Sequence, residues 1–303
     1  MRLGIDFGGT NLKVGVFSDD GEEKFFKECL IKDIRNTNNL LQDMLVYTKN
    51  LVEEYKLTQG GLAVKGLVNK ETGILESDIG LAKEFSGINL KNVFGEYFNI
   101  PFYIENDARS YAWGEWLYGA GQNSNVMSCL TLGTGLGSAL IKDGKPYEGS
   151  DSLGGILGGH ISIDRNGPEC ACGNRGCLEL YCSATALKER ILKNLPELSK
   201  ENDPVKNFFE KFRQGNNYGT NILNEFLNDL AIGIVNVIHA YGPEIVVLGG
   251  GVMKSDDIII PRINHLVSKR AWTVPKGKVS IVKSKLGNRA ASLGAAFLSE
   301  IKD

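Results

Sequence analysis

LGIDFGGTNLKVGVF, residues 3–17, is the stretch that decides the fold, because an apolar run breaks at a glycine-rich turn and then resumes. Two apolar runs around a turn of small residues predict a β-hairpin. Residues 127–141, MSCLTLGTGLGSALI, repeat the pattern, with Gly133 in the position of Gly8. This short match suggests a duplicated domain. A third segment of the same kind, EIVVLGGGV, covers residues 244–252.

Helical patterns separate these apolar runs. Four segments have the apolar spacing or the composition of helices: residues 37–55, 106–118, 221–241 and 289–301. Asn106 is a residue type favoured at helix N-caps, and Gly242 with Pro243 ends the third helical pattern. Strands that alternate with helices predict an α/β fold, here with two domains.

The composition is that of an ordinary globular protein. The chain has 303 residues, of which 42% are hydrophobic and 23% charged, with a formal net charge of −2. This charge gives no reason to expect nucleic acid or an anionic membrane as a partner. The N-terminal residues lack the apolar core of a signal peptide, and no apolar run is long enough to cross a bilayer. We therefore expect a cytoplasmic protein, in which clustered cysteines indicate a metal more often than a disulfide.

The two glycine-rich turns are candidate phosphate sites, since such turns let several backbone N–H groups approach an anion. The turn at residues 6–10 adds the Asp6 carboxylate, which would repel phosphate oxygens unless a Mg²⁺ ion lay between them. The turn at residues 133–137 carries no acid and could wrap phosphate directly. The alternative is that each is an ordinary hairpin turn. Neither matches the nucleotide-binding loops of P-loop or Rossmann proteins.

One histidine and three cysteines form the pattern H-x9-C-x-C-x4-C: His160, Cys170, Cys172 and Cys177. Zinc takes four nitrogen and sulfur ligands tetrahedrally in structural sites, and a full set leaves no position for a reactive water. The pattern therefore predicts a structural zinc rather than a hydrolytic one. The alternative is a set of buried free thiols. The remaining cysteines are expected to be packed thiols: Cys29, Cys129 and Cys182.

A candidate catalytic acid stands at residues 106–107, where Asn106 and Asp107 follow the apolar run PFYIE. This position is a junction between a strand and a helix. A carboxylate held there could take a proton from an attacking hydroxyl group. The alternative is a plain N-cap, for which Asn and Asp are both favoured.

Five segments in this order resemble the ROK family of bacterial sugar kinases, within the actin–hexokinase superfamily: DFGGTNLKVGVF, ENDARSYAWGEW, LTLGTGLGSALI, CACGNRGC and EIVVLGGGV. The resemblance extends over essentially the whole chain. It implies two ribonuclease-H-like (actin-like ATPase) domains around a central cleft, and ATP-dependent phosphorylation of a hexose. We expect a small first domain over residues 1–117, with a C-terminal helix at about 290–303 packed on it. We expect a larger second domain over 118–290, with the zinc loop at 157–180.

The resemblance also implies a role for each residue that matches a motif of the family. Asp107 would be the general base, and the sugar would be bound by Gly66, Asn106, Asp107, His160 and Glu179. ATP and Mg²⁺ would be bound by three groups of residues: Asp6, Gly8, Gly9, Thr10, Asn11 and Lys13; Gly133, Thr134, Gly135 and Gly137; and, beside the adenosine, Gly249, Gly250 and Gly251. A homodimer is implied as well.

One departure from the family bears on the substrate. The family usually has a sugar-binding Glu three residues before the metal-binding His, and this chain has Leu157 there. Losing that acceptor could cost roughly 1–3 kcal/mol of binding. The leading hypothesis is an ATP:hexose 6-phosphotransferase that resembles glucokinase. The alternatives are an N-acetylhexosamine (GlcNAc or ManNAc) kinase, an allose kinase, or a sugar-binding protein without catalysis. The repressors of the family carry an N-terminal DNA-binding segment, for which we expect no room before Asp6.

Overall fold

The computed structural model describes residues 1–69, 71–76, 80–149, 155, 157–215, 217 and 219–301. Residue contacts divide the chain into two units. Unit 1 consists of Met1–Asn123, Ala139–Ile156 and Lys285–Asp303, and unit 2 of Ser124–Ser138 and Leu157–Ser284. Residues 139–156, expected in the second domain, group with unit 1 in this division.

The described residues form twelve strands and ten α-helices. The strands are β1 (Arg2–Phe7), β2 (Asn11–Phe17), β3 (Glu23–Leu30), β4 (Gln59–Val64), β5 (Leu67–Asn69), β6 (Ile74–Glu76), β7 (Phe102–Asn106), β8 (Val126–Leu132), β9 (Leu136–Lys142), β10 (Lys145–Pro146), β11 (Ile245–Gly249) and β12 (Ser280–Lys283). The helices are α1 (Ile31–Ile34), α2 (Leu40–Glu54), α3 (Leu90–Phe98), α4 (Asp107–Tyr118), α5 (Glu179–Cys182), α6 (Ala184–Asn194), α7 (Pro204–Arg213), α8 (Thr220–Tyr241), α9 (Asp256–Arg270) and α10 (Ala290–Ala296).

The first sheet has the strand order β3-β2-β1-β4-β7. Strands β1, β2 and β3 pair antiparallel, whereas β1, β4 and β7 run parallel. The parallel strands are mostly buried, and most of their residues are apolar or glycine, which is expected where a sheet is covered on both faces. Of their polar residues, Asp6, Glu105 and Asn106 lie at or near the carboxyl ends. Parallel strands end at one edge, so the residues that follow β1, β4 and β7 are brought together.

The second sheet has the order β10-β9-β8-β11-β12, which repeats the arrangement of the first. Its strands β8, β11 and β12 run parallel, and β9 pairs antiparallel with β10. The equal topology agrees with the duplication suggested by the two hairpin sequences. In unit 2 the core includes buried residues of β8, β11, β12 and α8, and Phe226 and Ile234 of α8 are completely buried.

Most predicted elements are present. The α/β class, both hairpins and the helices at 37–55, 106–118 and 221–241 are confirmed within a few residues by α2, α4 and α8. The fourth helix is shorter than predicted, because α10 ends at Ala296 and the chain tightens into a 3₁₀ turn over Leu298–Glu300. In the described part of the chain, no helix is both long and apolar enough to cross a membrane.

Helix α10 is rich in small residues because backbone surrounds it within unit 1. All of its residues are buried. A methyl group on Gly294 would lie 1.8 Å from the carbonyl oxygen of Ser110 in α4, and one on Gly4 of β1 would lie 1.8 Å from that of Ser292. These glycines let α10 approach α4 and the first sheet more closely than any side chain permits.

We expect Gly294→Ala to lower the free energy of unfolding by about 1–3 kcal/mol, because the added methyl group meets backbone that cannot rotate away. The measurement is the denaturant midpoint at unchanged slope. The control is Gly95→Ala in α3, where the nearest atom to the added methyl lies 3.4 Å away. There we expect no loss of stability, since alanine is the better helix former. Equal effects of the two substitutions would contradict the close-approach explanation.

Candidate active site and metal centre

The carboxyl ends of β1, β4 and β7 bring together the candidate catalytic residues of unit 1. Asp6 stands near the end of β1, and the turn at residues 8–10 follows. Val64 pairs with Asn106 in parallel register, so Lys65 and Gly66 leave β4 beside the start of α4. The strand edge thus collects the first glycine-rich turn, Gly66, Asn106 and Asp107.

Asn106 is both an N-cap and a fixed polar group. Its Oδ1 accepts hydrogen bonds from the backbone N–H groups of Ala108 (3.0 Å) and Arg109 (3.2 Å), as an N-cap does. Its Nδ2 donates to the carbonyl oxygen of Gly66 at 3.0 Å. Gly66 has a φ of 131°, a conformation that side chains rarely adopt. Asn106 is therefore an N-cap. The same hydrogen bonds fix the orientation of its side-chain amide, which is compatible with a binding role.

Asp107 is half-buried at the first position of α4, and its Oδ1 accepts a hydrogen bond from Ala108 N at 2.9 Å. Burial raises the pKa of its carboxyl group, and the nearby Asp6 charge raises it further. The hydrogen bond from Ala108 and the charge of Lys65 act in the opposite direction. A carboxylate with a raised pKa is a stronger proton acceptor, which suits a general base.

Asp6 and Lys13 form an ion pair next to the first turn. Asp6 is buried, and the Lys13 ammonium lies 2.8 Å from its Oδ2. Burial lowers the pKa of Lys13, but the charge and hydrogen bond of Asp6 outweigh it, so the net shift is upward. The pair follows from the hairpin register, which places Asp6 opposite Lys13. The turn itself is closed by Gly8 N–H donating to Asn11 O at 3.0 Å.

Sequence reasoning missed a buried ion pair beneath these residues. Glu105 is fully buried, and its Oε1 accepts hydrogen bonds from the backbone N–H of Asn106 (2.6 Å) and from Arg109 Nε (2.7 Å). Arg109 Nη2 lies 2.6 Å from the same oxygen. The pair therefore holds the strand-to-helix junction that carries Asp107. The sequence feature that could have predicted this pair is the spacing of four residues between Glu105 and Arg109 across the start of a predicted helix.

Lys65 gives a pH-dependent prediction. Removing its charge in Lys65→Met should raise the pKa of Asp107 further, since this ammonium opposes the effects of burial and of Asp6. If deprotonated Asp107 is the active form, a higher pKa moves the acidic limb of the kcat/KM profile to higher pH. Lys65→Arg keeps the charge and serves as the control. An acidic limb at the wild-type pH in Lys65→Met would contradict the electrostatic role of Lys65.

In unit 2, the second glycine-rich turn lies beside the end of β11, where Gly249 is the last residue of the strand and Gly250 and Gly251 follow it. Gly133 N–H donates to Gly135 O at 3.0 Å and closes the turn between β8 and β9. Gly249 pairs with Thr131 in parallel register. A methyl group on Gly250 would lie 2.4 Å from the carbonyl oxygen of Leu132, so only glycine permits this approach. The structure therefore brings together the two segments expected to contact the nucleotide from this unit.

The four predicted metal ligands converge in the same unit. The ligand atoms of His160, Cys170, Cys172 and Cys177 all lie within 4.8 Å of one another. His160 Nδ1 is 3.6 Å from Cys170 Sγ, and Cys172 Sγ is 3.6 Å from Cys177 Sγ. Zinc–sulfur bonds of about 2.3 Å in a tetrahedron require sulfur atoms about 3.8 Å apart. The donor set and its spacing therefore fit one tetrahedral ion.

The loop geometry and the charge balance also fit a metal. Gly173 N–H donates to Cys170 O at 2.9 Å, and Cys170 N–H donates to Asn174 O at 2.8 Å. These bonds fold residues 170–177 into a tight loop, which we call the knuckle. Gly173 and Gly176 have positive φ values of 89° and 62°. Burial, with the neighbouring cysteines, raises the pKa of Cys177 to about 12. A metal ligand must be a thiolate, so the Cys177 thiol would lose its proton only with a cation beside it.

Two further residues near the knuckle bear on sugar binding, and their environments differ: Glu179 and Leu157. Glu179 begins α5, and its Oε2 accepts a hydrogen bond from Leu136 N at 2.7 Å, a contact that the sequence did not predict. Leu157 immediately precedes Gly158–His160 and is 56% exposed. An exposed leucine here is not part of the core.

Comparison with known proteins identifies relatives in sequence and in fold. The model of the ROK family matches residues 2–301. The glucokinase of Thermotoga maritima is 28% identical over 308 aligned positions, which cover 98% of this chain and 96% of that enzyme. The xylose repressor of Bacillus spizizenii is 33% identical over 265 positions, covering 86% of this chain and 66% of the repressor, so the chain matches about two thirds of the repressor's length.

A solved structure gives the fold. The crystal structure of a ROK family glucokinase from Streptomyces griseus, in complex with glucose and AMPPNP, superposes with a TM-score of 0.83. The two chains are 24% identical, and 98% of each is covered. This likeness confirms the predicted fold of two ribonuclease-H-like domains, the fold of the actin-like ATPases.

Proposed function

This chain belongs to the ROK family, and on that premise we propose that it is a sugar kinase that transfers the γ-phosphoryl group of ATP to the 6-hydroxyl of glucose or a close relative. One observation carries the proposal. Asp107, with its raised pKa, stands at the strand edge beside the fixed amide of Asn106 and the Asp6–Lys13 pair. A proton acceptor, a fixed amide that can bind the substrate and a pair of charged side chains at the first turn together suit phosphoryl transfer to a hydroxyl group.

Asp107 acts as the general base. Its Oδ1 accepts from the backbone of α4, which leaves Oδ2 to take the proton of the sugar hydroxyl. The hydroxyl oxygen then forms a bond to the γ-phosphorus, the bond from that phosphorus to the bridging oxygen breaks, and ADP leaves. Because phosphoryl transfer depends mainly on alignment and charge neutralisation, the base contributes one part of the rate.

The proposed phosphate ligands are the backbone N–H groups of the first glycine-rich turn in unit 1 and of the second in unit 2. Gly249, Gly250 and Gly251 of unit 2 are the proposed contacts of the adenosine. Asp6 would hold Mg²⁺, a cation that prefers carboxylate oxygens, and its Oδ2 also accepts a hydrogen bond from Lys13. Bound there, Mg²⁺ would neutralise charge that develops on the phosphate oxygens. Lys13 adds a second positive charge to the same turn.

The proposed sugar ligands are Gly66, Asn106 and Asp107 in unit 1, and His160 and Glu179 in unit 2. Glu179 Oε1 is left for a hydroxyl group because Oε2 accepts from Leu136. Leu157 cannot accept a hydrogen bond, so one edge of the sugar is recognised differently from the usual pattern of the family. N-acetylhexosamines and allose are the alternative substrates on this account.

The knuckle would hold a structural zinc. His160, Cys170, Cys172 and Cys177 would supply all four ligands of the ion, so no position would remain for a reactive water. Its role is to hold the loop that presents His160 and Glu179. As expected for the family, the protein forms a homodimer, which light scattering tests.

The deciding experiment is a coupled assay of ADP release with glucose, mannose, allose, fructose, GlcNAc and ManNAc. We expect turnover with at least one of them, glucose first. The similarity to a xylose repressor supports a second candidate, a sugar-binding protein without catalysis. Sugar binding by calorimetry without ADP release from any of these sugars would favour that candidate over the kinase.

A further inference from the structure

A short segment downstream of the last metal ligand contacts the second glycine-rich turn at three points. Leu136 N–H donates to Glu179 Oε2 (2.7 Å), and Ala184 N–H donates to the carbonyl oxygen of Gly133 (2.7 Å). The hydroxyl of Thr185 donates to the carbonyl oxygen of Thr134 at 2.8 Å. We call residues 179–185 the brace. All of these contacts lie within unit 2.

These bonds control the backbone of a turn that has little internal support. Among the described residues, one hydrogen bond closes the turn from within, from Gly133 N–H to Gly135 O. The brace adds a bond at Gly133, one at Thr134 and one at Leu136. Because glycine-rich backbone has many accessible conformations, such external bonds decide which N–H groups can converge on an anion.

The two ends of the brace are themselves fixed. At one end Leu178, next to the metal ligand Cys177, is fully buried, and its N–H donates to Ile161 O at 3.0 Å. At the other end Ser183 caps α6, its side chain accepting from Ala186 N at 3.1 Å. The brace therefore runs from the metal knuckle to a capped helix and touches the turn on the way.

We propose that the brace positions the 133–136 turn for the phosphates of the nucleotide and couples that turn to the metal centre, with Thr185 as a positioning residue. The inference rests on the proposed function, since it needs a nucleotide on this turn. Thr185 is exposed and takes no part in the core, so its hydroxyl has a role separable from folding.

The test is Thr185→Val, which removes the hydroxyl and nearly keeps the shape of the side chain. We expect the Kd for Mg·AMPPNP, measured by calorimetry, and the KM for ATP to rise about 2- to 12-fold, the usual effect of one lost hydrogen bond. The KM for the sugar and the thermal midpoint should stay at the wild-type values. Thr185→Ser restores the hydroxyl and should restore nucleotide affinity.

Thr220→Val is the matched control. Thr220 lies in the same unit, and its hydroxyl donates to Asn217 O at 2.7 Å, away from the turn. We expect wild-type nucleotide affinity in this variant. Wild-type nucleotide affinity in Thr185→Val would overturn the inference. An equal rise of the KM values for ATP and for the sugar, together with a lower thermal midpoint, would also overturn it, because that result indicates a purely structural role for Thr185.

Metal removal tests the coupling in a second way. A chelated protein that keeps its far-UV circular dichroism should bind Mg·AMPPNP more weakly than the metal-loaded protein. Unchanged nucleotide affinity would overturn the coupling to the metal. If the metal-loaded wild-type protein itself binds no Mg·AMPPNP, the proposed function fails, and that outcome is distinct from failure of the brace alone.

Discussion

Asp107→Asn should lower kcat by about 10²–10⁴-fold while the fold and the sugar affinity stay close to wild type. The amide keeps the size of the carboxylate and can still accept the hydrogen bond from Ala108 N. It cannot accept the proton of a sugar hydroxyl. The loss should therefore fall on kcat, measured by coupled ADP release, whereas the sugar Kd measured by calorimetry should change little.

Asp143→Asn is the control for this substitution. Asp143 is exposed and has a φ of 53°, a conformation that asparagine tolerates well. We expect this variant to have wild-type activity and stability. Turnover near the wild-type level in Asp107→Asn would contradict the role of Asp107 as the base. Residues 106–107 would then serve only to cap α4.

Cys177→Ser should abolish metal binding, the second large effect. Native protein should carry about one zinc per chain by elemental analysis, as expected for a four-ligand structural site. Cys177 is fully buried and belongs to the ligand cluster. Replacing its thiol with a hydroxyl group would leave the metal with three of its four ligands. Because structural zinc contributes of the order of 10 kcal/mol to folding in small zinc domains, we expect a clear drop in thermal stability together with loss of the ion.

Cys29→Ser is the matched control for metal content. Cys29 is a half-buried free cysteine in unit 1 and is not part of the ligand cluster. This variant should keep one zinc per chain. A wild-type protein purified under native conditions without zinc would contradict the assignment of the cluster as a zinc site.

Local patterns predicted the elements well. The hairpin of residues 3–17 and its repeat at 127–141 follow from apolar runs around small-residue turns, which are local signals. The helix around residue 110 was predicted from its N-cap type, and Asn106 does cap α4. The end of the last helix was predicted less well. Its composition favours helix through Ile301, whereas the chain tightens after Ala296.

The sequence by itself determined the class of fold and the family, and it predicted the four candidate metal ligands and the candidate base, because each depends on residue type and short spacing. Only the tertiary structure decided which residues support them. The contact of Thr185 with Thr134 joins positions 51 apart in the chain, and that of Glu179 with Leu136 joins positions 43 apart. Likewise, the edge shared by Asp6, Gly66 and Asp107 exists because three parallel strands end together. No local pattern encodes such contacts, since they form only when strands pair and helices pack on them.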